Sequence, residues 1–298
     1  MTALGYRPAA FVPVPAWRRW WPLAREEASS LFRARWGVAM FCVCLVPTLI
    51  RLAMLLMVFG VIQFGPLSLR NRLQTRAAGE VANLDPRRAE FYIESVLQVM
   101  PGMVCLLLLT SLTVARSIAR DRTTNALELY WTRGISPLGY LLAKWVGSVW
   151  LVAKVTVVAP LLLWVVAVFL ADDWSLFLDS WLTVGAGLVG VAVATAVWTA
   201  LGTLLSACAG RPNTAMVAWS LLLVGSSAVG VVLAQALREP HLRSTLSVWH
   251  AGGVVARAIA GIPQAKVSVA GAATTLGVLL LLLAWRARRR LRLLEAVA

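Results

Sequence analysis

Six stretches of this chain run for twenty or more residues with at most two charged side chains each, at about 37–63, 96–117, 140–170, 180–206, 214–236 and 266–286. Each matches the ~20 apolar residues an α-helix needs to cross ~30 Å of hydrocarbon, and uncharged runs of that length fit bilayer-spanning helices better than core strands. Ahead of the first run the pattern changes: Trp17, Trp20, Trp21, Ala24, Leu31 and Phe32 recur at helical spacing, with Arg18, Arg19, Arg25, Glu26, Glu27, Arg33 and Arg35 largely between them. That spacing predicts an amphipathic helix along the headgroups, started or kinked by Pro22. The polar segments 67–94 and 237–264 read as outer loops with short helices. The predicted fold is all-α, a polytopic integral membrane protein with six transmembrane helices. Its divisions are a tail and interfacial helix (1–36), a single transmembrane domain (37–286) and a basic tail (287–298).

Composition agrees, since 60% hydrophobic and 14% charged residues with a mean hydropathy of +0.78 lie far from a soluble domain. The formal charge of +15 could suggest nucleic acid, but the basic residues cluster at the ends of apolar runs, which is the pattern of membrane topology. With both termini inside, one face holds six Arg before the first run, Arg116, Arg120, Arg122, Arg133, Lys144, Arg211 and the five Arg of 286–292, seventeen in all. The other holds nine: Arg70, Arg72, Arg76, Arg87, Arg88, Arg238, Arg243, Arg257 and Lys266. The asymmetry places both termini in the cytoplasm of a multi-pass protein of the cell membrane. The first run begins only after Trp36 and carries no small-residue cleavage site, so the N-terminus is expected to stay in the mature protein.

Little in the chain is a chemical engine. Gly185, Gly187 and Gly190 spell a dinucleotide-type spacing, yet they sit inside an apolar run, where Ala186, Gly190 and Ala194 read as a small-residue ridge for helix packing. No phosphate-loop Gly-Lys-Ser/Thr, His-Glu-x-x-His, Gly-x-Ser-x-Gly or Cys-x-x-Cys occurs, so no catalytic residue, metal ligand or cofactor is assigned to this chain. Cys42, Cys44, Cys105 and Cys208 read as small buried hydrophobes, and His241 and His250 as loop residues. Every Asp and Glu lies outside the runs or at their ends, which disfavours an ion-driven transporter. Arg51 and Lys154 do lie within runs; they either snorkel to an interface or line a path for anionic groups on a substrate.

The loop 118–137 is the polar exception. Asn125 followed by Glu128 predicts a helix start, Gly134 a stop, and Ser136-Pro137 the cap and first turn of a second helix. A helix from Pro137 to about Leu170 would be ~50 Å long, beyond a ~30 Å core, so the short helix would ride on a stalk. Leu127, Tyr130 and Trp131 share one of its faces, with Glu128, Thr132 and Arg133 around them. Docking surface and headgroup-bound loop both fit these residues.

The stretch SIARDRTTNALELYWTRGISPLGYLLAKWVG resembles the cytoplasmic loop of type-2 ATP-binding-cassette (ABC) exporter permeases, on its acidic-basic segment, Leu-Glu-Leu core, Ile-Ser turn and Lys before the third span. Gly134 and Ala143 depart from the residues common there, Pro and Gly. The resemblance implies that the loop carries a coupling helix that docks on a separate ABC ATPase through Asn125, Leu127, Glu128, Tyr130, Trp131 and Arg133. It also implies that ATP and Mg are bound by that partner, and that a second permease copy or close relative completes a dimer in the lipid bilayer. The function implied is the permease subunit of an ABC exporter. The alternative is a membrane scaffold or assembly factor that recruits a partner without transport.

The charge asymmetry makes a prediction about sidedness. In a Cys-free background in intact cells, Ala78→Cys should react with a membrane-impermeant maleimide and Ala296→Cys should not; the reverse labelling overturns the orientation.

Overall fold

The computed structural model describes residues 16–33, 35–59, 61, 85–97, 102–132, 135–171, 174–239, 241–264 and 267–295, and among them the chain is helical, with no strand. Helix α1 (Ala16–Ser29) contains Pro22 in its interior and ends in a 3₁₀ turn, Ser30–Arg33. The helix thus begins before the proline rather than at it. The first crossing is α2 (Arg35–Val58). The predicted second span, 96–117, is not one helix. Its region comprises α3 (Ala89–Leu97), α4 (Val104–Leu112) and α5 (Val114–Thr123), with a break at Thr113. Next come the short α6 (Ala126–Thr132) and a continuous 34-residue span, α7 (Pro137–Ala153) joined to α8 (Ala159–Leu170) through a π segment at Lys154–Val158. Then follow α9 (Ser175–Cys208), α10 (Pro212–Ser220), a second π segment at Leu221–Gly225, and α11 (Ser226–Ala236). The chain closes with α12 (His241–Leu246), α13 (Val248–Ile259) and α14 (Val269–Glu295). The expected basic tail is therefore largely a continuation of α14. The outer segment before α3 falls mostly outside the described residues.

Five of these helical runs are long and apolar enough to cross a membrane: Arg35–Val58, Pro137–Leu170, Ser175–Cys208, Pro212–Ala236 and Val269–Arg290. Helices α3, α4 and α5 also pack along α9. Ala89 and Ile93 of α3 lie against Gly187, while the backbone of α5 meets Ser206. From 187 to 206 is ~28 Å of helix, close to the thickness of the core.

Helix α9 is the most enclosed of the five spans, and α3, α5, α7, α10, α13 and α14 all pack on it. Polar side chains inside the bundle pair across helices: Trp145 Nε1 to Ala196 O at 2.9 Å, Thr195 to Thr156 at 2.9 Å, and Trp219 Nε1 to Thr110 Oγ1 at 2.8 Å. Such bonds contribute on average only ~0.6 kcal/mol each, so close packing carries most of the assembly.

Helices α12 and α13 form a hairpin that packs against α11 and α9. On its way in it follows α11, where Ser247 and Ser227 share a hydrogen bond of 2.7 Å and Val248 N donates to Ser226 Oγ. On its way out it follows α9, where Trp198 and Trp249 stack at 4.5 Å and a Cβ on Gly190 would collide with the Ala256 carbonyl. The predicted small-residue ridge is thus a seat for α13. Ser226 lies ten residues before the end of α11, so the turn meets α11 ~15 Å along the helix from that end. The segment expected as a loop with short helices does contain two, and both are packed against spans. Glu94 of α3 closes the structure on this side with Arg257 of α13, at 2.6 and 2.9 Å. In a Cys-free background, Leu246→Cys is expected to resist water-soluble maleimide while Glu239→Cys reacts; equal labelling would place the turn in water.

Candidate functional site

At the end of the molecule where α1, α6 and the last turns of α14 meet, the loop 118–137 is held from several directions. Ser206 Oγ of α9 accepts hydrogen bonds from Ile118 N and Ala119 N, each at 3.1 Å. Arg122 donates to Ala207 O and Ala209 O at 3.0 and 2.8 Å, and Arg290 of α14 donates to Cys208 O. Two guanidinium groups thus satisfy carbonyls at the C-terminus of α9, where the helix dipole favours positive charge. Because Arg122 belongs to α5, that cap also fixes the base of the loop.

Helix α6 follows Asn125, whose φ of +55° puts it in the left-handed region. The helix starts where expected, at Ala126, but Asn125 serves as the turn residue that reverses the chain out of α5 rather than as an extended N-cap. Ser136 does cap α7, its Oγ accepting from Gly139 N at 3.1 Å with Pro137 in the first position. Arg133 and Gly134 lie outside the described residues.

The apolar face of α6 is turned inward. Leu127 is buried in a cluster with Leu23 and Ala24 of α1, Ile118, Tyr140, Ala143, Ala207 and Ala287. Tyr130 and Trp131 are half-buried beside it, the Tyr130 and Tyr140 rings 5.5 Å apart. These three residues were expected to form the outward centre of a docking face; the structure uses them to seat the helix on its own subunit. Asn125, Glu128, Leu129 and Thr132 remain exposed, Leu129 at 63%.

Beneath α6 lies a buried cluster of ionisable groups. Lys144 Nζ of α7 is 2.7 Å from Glu27 Oε2 and 2.8 Å from Asp121 Oδ2, and Tyr140 Oη donates to the same Asp121 oxygen at 2.8 Å. Lys144 is 4% and Glu27 7% exposed. A Cβ on Gly147 would come within 2.5 Å of Ala24 O and 2.6 Å of Glu27 Cβ, so the glycine is what lets α1 approach α7 closely enough for the pair. Two carboxylates share one ammonium. Burial pushes the Glu27 carboxyl above the usual carboxylate range, against the pull of Lys144. Sequence reading missed this cluster. The available signal was Glu27 on the stripe of Leu23, Ala24, Ala28 and Leu31, an acid on an apolar face.

The two cations assigned to a substrate path are not brought together. Lys154 reaches the end of α1, its Nζ 3.3 Å from Ala28 O and 4.6 Å from the centre of the Phe32 ring. Arg51 is buried toward the hairpin side, 5.4 Å from the centre of the Phe91 ring. His241 and His250 also have separate partners, Glu239 and Ser247.

Residues 88–285, two thirds of the chain, match the family model described as ABC-2 family transporter protein. The chain belongs to this family. An ABC-2 family protein of this kind is a membrane permease component of an ABC transporter, and this one crosses the bilayer several times. No curated protein matches the chain. Asp121, Tyr140 and Lys144 fall within the matched range of this ABC-2 permease, whereas Glu27 precedes it, so the ionic cluster joins the family domain to the N-terminal helix.

Removing one partner of a buried ion pair costs about 3–5 kcal/mol, because the remaining charge is left unpaired. Lys144→Met should therefore lower the thermal unfolding midpoint of the purified protein strongly, and Glu27→Gln, which removes the excess charge, much less. An unaltered midpoint for Lys144→Met would show that the cluster does not hold α1 to α7.

Proposed function

We propose that this permease is the membrane half of an ATP-driven exporter and that α6 is its coupling helix, docking on a separate ABC ATPase subunit. The observation that carries the reading is the way α6 is mounted. Its apolar face is spent on its own subunit and its base is fixed by Arg122 and the Lys144 cluster, while Asn125, Glu128, Leu129 and Thr132 face outward. A short helix held this firmly, with one exposed leucine among polar groups, suits a partner cleft that takes an apolar anchor and reads a charged rim. ATP and Mg would be held by that partner, and a second copy or close relative of this chain would complete the substrate path. In this reading the α6 side is cytoplasmic, in agreement with the Lys and Arg asymmetry. Closure of the ATPase pair on ATP then favours one arrangement of the spans over another, which needs only a few kcal/mol of differential binding.

The inward face and the outward face separate in a test. Leu129→Asp is expected to abolish stimulation of the partner ATPase and to weaken its co-purification at least tenfold, with the unfolding midpoint unchanged. Leu127→Asp should lower the midpoint itself, because it buries a charge in the cluster. A photo-cross-linker at Thr132 should capture the ATPase. Normal association and stimulation by the Leu129→Asp protein would remove α6 as the coupling element.

A further inference from the structure

The last turns of α14 present a second exposed surface. Residues 269–285 of this helix carry no charge, and the next five are Arg286, Ala287, Arg288, Arg289 and Arg290. Two of these fix the rotation of the helix: Ala287 is fully buried, and Arg290 caps α9. That rotation leaves Arg286, Arg288 and Arg289 exposed beside Trp285, which is 60% exposed and has the Arg289 guanidinium 4.9 Å from its ring centre. Val278, Leu281, Leu282, Trp285 and Arg289 form one outward stripe at helical spacing. Along that stripe a leucine face suited to acyl chains passes through an indole, the side chain that favours the membrane–water boundary, into guanidinium groups within one turn, ~5 Å. Phosphate headgroups occupy that depth.

Four other arginines are matched by acids: Arg87 with Asp179, Arg88 with Asp85, Arg33 with Glu26 and Arg257 with Glu94. Among the residues up to 290 whose side chains are described, no carboxylate is paired with Arg286, Arg288 or Arg289. A symmetric contact with a second copy would bring these like charges together, so a protein partner of the same sequence is disfavoured. We propose that Trp285, Arg286, Arg288 and Arg289 form a binding surface for anionic phospholipid headgroups, which holds the end of α14, and through Arg290 the end of α9, at the membrane boundary.

The test uses the full-length protein purified in neutral detergent, with native mass spectrometry reading lipid retention. Phosphatidylglycerol should be retained in preference to phosphatidylcholine. Arg286→Gln, Arg288→Gln and Arg289→Gln together should weaken that retention by about fivefold per arginine, on the order of a hundredfold, at an unchanged unfolding midpoint. The corresponding triple lysine variant should retain the lipid, since headgroup attraction needs the charge rather than the planar fork. Arg87→Gln with Arg88→Gln, which removes already paired arginines, should change nothing. Equal retention of phosphatidylcholine, full retention of phosphatidylglycerol by the triple Gln variant, or its displacement by millimolar inorganic phosphate would overturn the assignment. So would efficient disulfide dimers of Arg289→Cys in a Cys-free background, which would mark a protein interface.

Discussion

A single ammonium group, that of Lys144, sets the geometry of one end of this permease. Buried among helices, it must be met by carboxylates, and it meets two, on α1 and α5. Three segments far apart in sequence are thereby brought to one point. The position of α1 along α7, the path of α5 into α6 and the rotation of Tyr140 all follow from that requirement. Ion pairs of this kind seldom add net stability, since desolvation offsets their attraction, and apolar contacts around Leu127, Tyr140 and Ala143 supply the stabilisation. What the ions contribute is a demand for one arrangement, because any other leaves a charge without its partner.

From that point the structure continues toward the other side of the membrane through α9. Arg122 and Arg290 hold its end, and small residues along its length admit its neighbours, down to the stacked indoles of Trp198 and Trp249 at the tip of the hairpin. The Glu94–Arg257 pair fastens the hairpin to α3. A contiguous packed path therefore joins the two faces of the molecule, each end secured by charge and the middle by close packing.

Much of this was legible in the sequence, because the features concerned are local or imposed by the bilayer. Five of the six spans followed from the length of apolar runs, the start of α7 from Ser136 and Pro137, the long helix to Leu170 from the uninterrupted run, and the packing ridge from Gly190. The rest depends on contacts that no local pattern records. Thr113 interrupts the second crossing inside a run that hydropathy reads as continuous. The stripe of Leu127, Tyr130 and Trp131 was visible, but periodicity gives a face without saying what covers it, and its covering comes from α1 and α7. Glu27 reads as an ordinary surface acid until Lys144, 117 residues away, is placed beside it. Arg51 and Lys154 looked alike as cations in apolar runs, yet one faces the hairpin side and the other the end of α1.

The hairpin of α12 and α13 runs down α11 and back along α9, so it adds length to the chain without carrying it from one end of the bundle to the other. Five runs, α2, α7–α8, α9, α10–α11 and α14, have the length and apolarity of spans, and α3, α4 and α5 lie along α9 beside them. The described chain begins and ends at one end of the molecule, where α1 and the last turns of α14 meet. Leu23 and Ala287, 264 residues apart, belong to one buried cluster. Because the hairpin doubles back, α14 can run the length of the bundle to that end, where Ala287 joins the α1 cluster and Arg290 reaches the last carbonyls of α9.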